Sequence, residues 1–313
     1  MKILDNSDKR LLPVLPQIIF EKLNKKAEKL KFIGGGSYGR VYKAVLDTGE
    51  VIAAKAYRLQ KSQYSEARQL EILSQNTSVK MPQVLFTYED EETAILAMSF
   101  CPGQNVLNPL FLLKSKQQKQ AFAEAVVSGM LEWHSVTNGK FGMLENAVYG
   151  SWYDFYKAEM QEPWLRGLEK LTRNGKFSRK KLDLLKEASA LFYKVCPKDT
   201  TPVLIHGDLN IMNIMADPKT MHLNGFIDPC GTMWADREYD LFQYRNMWGD
   251  AYGLYETYKK KVFLPEFADF RVAYYGAMNE AHCRLGGGLI MPLWEILCNN
   301  RLKKEMKKLK EKM

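Results

Sequence analysis

The run GGGSYGRV, residues 34–41, constrains this chain more than any other stretch. It fits the pattern G-x-G-x-x-G-x-V, with Gly34, Gly36, Gly39 and Val41 in the defining places. Glycines let backbone N–H groups approach an anion where a Cβ would collide. A doubly wound nucleotide fold needs a strand, then the glycines, then a helix. Here the glycines lead into alternating Val41, Lys43 and Val45, a strand pattern. That favours a hairpin flap over phosphates rather than the doubly wound arrangement. Glycine-rich hairpins are also common as plain turns, so the run alone specifies no ligand.

The flanking pattern places the flap. An amphipathic helix is expected over about 17–30. Residues 30–59 then read as a meander of strands, with Val51, Ala53 and Lys55 resuming the alternation after the turn LDTGE. SQYSEARQLEILSQN reads as a helix with Ala67, Leu70 and Leu73 on one face. PQVLFTYEDEETAILAMSF reads as two more strands around an acidic turn. CPGQN then breaks the pattern with Pro102 and Gly103. Beyond it helices dominate, as where Phe122, Val126, Met130 and Trp133 share a face; the exception is a pair of strands bracketing residues 204–228. The expected class is α+β in two lobes: a β-rich N-lobe over 1–98, a hinge at 99–104 and a mainly helical C-lobe over 105–313.

Lys55 lies fourteen residues after Val41 in the apolar strand VIAAKAY. A lysine there is either edge decoration or an ammonium directed at phosphate and held by a carboxylate. Glu66, on the core-facing side of the next helix, is the candidate partner; Glu71 is the alternative. LIHGDLNIMNIM, residues 204–215, sets Asp208 and Asn213 five residues apart, and GFIDPCG returns with Asp228. Burying carboxylates between apolar segments costs free energy, so they call for a ligand. Asp208 can orient an attacking hydroxyl or accept its proton, while Asn213 and Asp228 offer the hard oxygens that suit Mg²⁺. Taken singly, each Asp or Asn could be a turn or a cap. Five parts in one order point to phosphoryl transfer.

The arrangement resembles the protein-kinase-like superfamily, in its aminoglycoside phosphotransferase and choline kinase branch, over roughly residues 30 to 250. The family's H-G-D-x-x-x-x-N loop is met by His206, Gly207, Asp208 and Asn213. The resemblance implies a two-lobed kinase-like fold, ATP and Mg²⁺ as cofactors, and Asp208 as the catalytic residue. Gly34, Gly36, Ser37, Gly39, Val41, Lys55 and Glu66 would hold the nucleotide, and Asn213 with Asp228 the metal. Met98 would gate an adenine pocket, with backbone groups of Ser99 and Cys101 binding the base. ADREYDL matches the family's D-R-x-x-D-L, which makes Asp236, Arg237 and Asp240 a structural brace. WHSVTNGKFG, SWYDFYKAEM and DREYDL together resemble the fructosamine and ketosamine kinases, which implies an acceptor hydroxyl on a small amine-bearing molecule; an aminoglycoside or a choline-type amino alcohol is the alternative acceptor. The departures are Asn210 and Met212 where that branch has Trp and Gly, and Trp133 before His134. Trp152, Tyr153, Phe155 and Tyr156 could line the acceptor pocket, although aromatics at helical spacing more often form core. A protein kinase is disfavoured: Gly207 replaces the Arg of H-R-D, and the span after Asp228 leaves no room for an activation loop. An inactive nucleotide-binding module is the alternative of another class.

The net charge of +9 bears on partners. Residues 1–31 carry +4 and residues 301–313 carry +5, so the remainder is balanced. The basic tail reads as a solvated amphipathic helix, with neither nucleic acid nor membrane as partner. Five cysteines without a C-x-x-C pair suggest reduced thiols and a cytoplasmic setting.

Overall fold

The computed structural model describes residues 3–246, 248–288 and 290–313. The chain forms two compact units, one running to Gly103 together with Asn224–Cys230, the other comprising Gln104–Leu223 and Gly231 onward. A distant segment carrying Asp228 thus folds with the first unit.

The first unit contains α1 (Asp8–Leu23), β1 (Ala27–Gly35), β2 (Gly39–Leu46), β3 (Val51–Tyr57), α2 (Ser62–Gln75), β4 (Val84–Glu89) and β5 (Ala94–Ser99). The strands make one antiparallel sheet in the order β1-β2-β3-β5-β4. The helix expected over about 17–30 lies earlier, and residues 27–35 are strand. Two facts explain the difference. Leu11, Leu15 and Ile18 share a helical face that buries against Tyr42, Ala54, Ala56 and Ile95, and this packing outweighs Pro13 and Pro16 within the helix. Asn24 then takes a left-handed conformation and ends it.

The second unit contains β6 (Gln104–Asn105), α3 (Lys116–Ser135), β7 (Phe141–Met143), β8 (Asn146–Tyr149), α4 (Trp152–Phe155), α5 (Glu162–Arg173), α6 (Arg179–Val195), β9 (Val203–Ile205) and β10 (Ile214–Ala216). After β11 (Leu223–Phe226), which crosses the unit boundary, come β12 (Met233–Ala235), α7 (Glu238–Leu241), α8 (Leu254–Lys261), α9 (Ala268–His282) and α10 (Pro292–Lys312). The unit holds more strand than the expected pair: β8-β7-β12-β9 form a sheet, and β10 pairs with β6. Strands of two to four residues are too short to show alternation.

Phe122, Val126, Met130 and Trp133 are buried along α3, and α9 is buried on nearly every side. Trp152, Phe155 and Tyr156 are core: Trp152 and Tyr156 pack on Tyr239 and Tyr275, Phe155 packs on Trp152, and Trp152 Nε1 donates to the Tyr275 hydroxyl at 2.7 Å. Tyr153 packs edge-on against Tyr193. The basic tail lies on α10, whose Leu302, Met306 and Leu309 are buried while most of its lysines are exposed.

Candidate active site

In the first unit the chemistry gathers around Lys55. The residue sits on central strand β3, paired across from Val41 on β2 and Leu96 on β5. Its ammonium donates to Glu66 Oε2 at 2.5 Å and to an Asp228 carboxylate oxygen. Glu66 occupies the buried face of α2 with Ala67, Leu70 and Leu73, whereas Glu71 pairs with Arg68 at the surface. Tyr57 donates its hydroxyl to the same Glu66 oxygen at 2.6 Å. Burial alone would push the Lys55 ammonium down, but the two carboxylates outweigh it and hold the ammonium above its ordinary value. Burial raises the Glu66 carboxyl, and Lys55 opposes the shift. The two Lys55 partners differ in exposure: the Glu66 side chain is 9% exposed and that of Asp228 is 48%. Asp228 also holds a left-handed backbone, φ 56°, uncommon for a residue with a Cβ.

The glycines divide by role. A Cβ on Gly39 would stand 2.7 Å from the Ala56 carbonyl oxygen, so glycine is required for β2 to approach β3 beside Lys55. Beside Gly34 and Gly36 a Cβ would meet nothing within 4 Å, and neither glycine has a left-handed φ. Nothing in the fold demands glycine at those two places.

At the end of β5, Met98 is buried. The Ser99 N–H donates to the Gln83 carbonyl, and the Gln83 N–H donates to Ser99 Oγ, both at 2.9 Å. The Ser99 N–H is therefore already spent within the first unit. Burial pushes the Cys101 thiol up to about 11. A cavity of about 370 Å³ runs along Ser99–Pro102 and the 74–83 segment, and neither Met98 nor the glycines line it.

In the second unit the chemistry gathers around Asp208. The chain leaves β9 at Ile205, and Gly207 turns it with φ 82°, a conformation that favours glycine. Asp240, fully buried, accepts the N–H groups of His206 and Gly207 at 3.1 and 3.0 Å. Thr232 Oγ1 donates to the His206 carbonyl at 3.1 Å, and Gln243 Nε2 to that of Gly207 at 3.3 Å. The backbone is thus pinned on both sides before the functional side chains appear. Asp208 Oδ1 accepts from Asn210 Nδ2 at 2.8 Å, and its Oδ2 from Asn213 Nδ2 at 3.0 Å. Asn213 also donates to the Asp208 carbonyl at 2.7 Å. Its amide nitrogen is spent on Asp208, which turns its oxygen into the atom suited to a cation.

Asn213 and Asp228, expected to share a metal, belong to different units. Among the described residues no group of three or more His, Cys, Asp and Glu could hold an ion. An amide oxygen and a carboxylate are each hard oxygen donors of the kind Mg²⁺ takes.

Sequence reasoning missed three features. Tyr57 looked like an ordinary strand aromatic, and its hydroxyl gives no pattern. Asn210 registered only as a departure, although it holds the Asp208 carboxylate. Glu238 and Arg271 form a buried two-pronged ion pair at 2.6 and 2.7 Å, 33 residues apart, with no local signal to find it.

The profile of the phosphotransferase enzyme family (APH) matches residues 29–284. An uncharacterised protein of Escherichia coli strain K12, YcbJ, is 24% identical over 186 residues, 57% of this chain and 61% of that protein. The chain therefore spans about three fifths of the length of the curated relatives it matches. The fold is similar to that of a candidate fructosamine-3-kinase from Thermobifida fusca YX-ER1, with a TM-score of 0.70, 18% identity, and coverage of 94% of this chain and 98% of that one. It is also similar to the GDP and kanamycin complex of an APH(2″) enzyme, with a TM-score of 0.64, 14% identity, and coverage of 96% and 98%.

Proposed function

The chain belongs to the phosphotransferase enzyme family, and on that premise we propose that it moves the γ-phosphate of ATP to a hydroxyl of a small, amine-bearing molecule of the fructosamine type. The observation that carries the reading is the Asp208 carboxylate, each oxygen fixed by an asparagine amide. So held, it can accept the proton of an acceptor hydroxyl as that oxygen attacks the γ-phosphorus. The new oxygen–phosphorus bond forms, the bond to the β-phosphate oxygen breaks, and ADP leaves. Lys55, held by Glu66, places its ammonium on the phosphates of the nucleotide. Backbone N–H groups of the flap, with open space beside Gly34 and Gly36, cover them; Ser37 and Val41 belong to the same flap. Asn213 and Asp228 would hold Mg²⁺, which when bound offsets charge on the phosphate oxygens. The Ser99 carbonyl and the Cys101 backbone would read the base beside Met98.

The balanced charge of the chain between its basic ends favours a small acceptor over nucleic acid. Among the described residues no helix is long and apolar enough to cross a membrane. Five free thiols suit a reducing compartment such as the cytoplasm. A second acceptor class, the aminoglycosides, is favoured by the kanamycin bound to a neighbour of the same fold.

The test is transfer of labelled phosphate from Mg-ATP to fructosyl-lysine and to kanamycin, side by side, with a thermal shift for nucleotide binding. Transfer to fructosyl-lysine is expected. Transfer to kanamycin alone would reverse the ranking. Binding of ATP without transfer to these or to amino alcohols would favour an inactive nucleotide-binding module.

A further inference from the structure

Lys55 is shared between two carboxylates that the proposed reaction must treat differently. Asp228 has to release the ammonium to serve a metal, while Glu66 has to keep it. Something must bias the lysine toward Glu66. Tyr57 stands two residues after Lys55 on β3, so both side chains leave the same face of the strand. Its ring centroid is 5.3 Å from Lys55 Nζ, and its hydroxyl donates to the Glu66 oxygen that Lys55 also uses. The residue is 2% exposed, so the hydroxyl bonds Glu66 out of contact with bulk water. Register pairs it with Gly39, the flap glycine that closes onto β3. Asp228, by contrast, is half exposed and can exchange its partner for solvent or a ligand.

We infer that Tyr57 is a positioning residue: its hydroxyl fixes Glu66, which makes Glu66 the permanent partner of Lys55 and leaves Asp228 the exchangeable one. The inference rests on the kinase reading above. A second donor removes the freedom of the Glu66 carboxylate to follow Lys55 toward Asp228. It also satisfies a buried oxygen that would otherwise depend on the lysine alone. Phenylalanine would keep the ring under the ammonium and delete only this hydrogen bond.

The experiment compares wild type, Tyr57→Phe, Glu66→Gln and the double variant by calorimetric binding of Mg-ATP and of adenosine. Tyr57→Phe is expected to weaken ATP about tenfold, the effect of one hydrogen bond to a charged group, and to leave adenosine within about twofold. In the Glu66→Gln background it should add nothing, because the two residues act through one contact. A purely structural tyrosine would weaken ATP and adenosine together, or add its effect to Glu66→Gln, and either result would overturn the inference. Wild-type protein that bound no ATP would overturn the kinase reading, and the inference with it. Nucleotide-free wild-type protein gives a check that needs no variant: ¹⁵N-lysine NMR should show Lys55 ammonium protons exchanging slowly with water. Fast exchange there would mean that the cage around Lys55 does not hold.

Discussion

The Lys55 cluster and the Asp208 loop solve the same problem, presenting a charged group for chemistry, with opposite materials. Around Lys55 the support is itself charged, a buried ammonium between two carboxylates. Around Asp208 the groups that touch the carboxylate are neutral, two asparagine amides, and the one buried charge, Asp240, acts a step away on the backbone N–H groups. A charged scaffold responds when any member is neutralised, because a lone buried charge is costly. An amide scaffold responds little, because each amide contributes one hydrogen bond. On the proposed reading, the first arrangement suits a group that changes partners as nucleotide arrives, the second a group that stays still while a proton moves.

The largest effect should come from Asp208→Asn. Turnover is expected to fall by roughly 10²–10⁴, the contribution of a positioned base, with the denaturation midpoint near that of wild type. A variant retaining full turnover would remove Asp208 from the chemistry and break the contrast on its neutral side.

Lys55→Met should cost stability, about 3–5 kcal/mol by urea denaturation at neutral pH, since it strands Glu66 beside Asp228. Burial already raises the Glu66 carboxyl above its unfolded value. A group with a raised folded pKa binds more protons when folded, so its penalty is absent at low pH and grows as pH rises through that value. The variant should therefore approach wild-type stability near pH 4 and diverge from it above. A loss independent of pH would show that Lys55 acts by packing alone.

Glu280→Gln sharpens the comparison within the second unit. Burial, then the charge of Glu295, pushes the Glu280 carboxyl up to about 7. By the same sign, wild-type stability should decline from about pH 4.5 to 7, on the order of 1–3 kcal/mol. The Gln variant should be flat across that window in paired denaturation curves. Identical slopes would mean that Glu280 is solvated.

The smallest change is expected for Asn210→Ala, which removes one of the two amides on Asp208. About 1 kcal/mol of stability and about tenfold in turnover should go. A loss as large as that of Asp208→Asn would make Asn210 part of the chemistry itself.

How much of this was legible beforehand follows from the length and locality of each signal. The first-unit sheet uses strands of six to nine residues, long enough for alternation to show around Val41 and Lys55. Glu66 could be chosen over Glu71 because it falls on the buried face with Ala67 and Leu70. The early helix was misplaced because Lys25–Lys31 is rich in helix formers, and only the sheet beside Leu30 decides that it is strand. In the second unit the three-residue strands carry no period. Arg271 and Glu238, or Tyr57 and Glu66, meet only once the chain has folded. The loop from His206 to Asn213 stood out by its spacing, while the reason for Asn210 lay in a side-chain contact that no spacing encodes.

The central proposal is that the Lys55 cluster holds nucleotide while the Asp208 loop performs the transfer. Calorimetric titration of Mg-ATP into wild type, Lys55→Met and Asp208→Asn tests it directly. ATP affinity is predicted to drop about tenfold or more in Lys55→Met, the scale of a lost charged contact, and to stay within about twofold of wild type in Asp208→Asn. Equal affinities for wild type and Lys55→Met, or a loss confined to Asp208→Asn, would contradict the account.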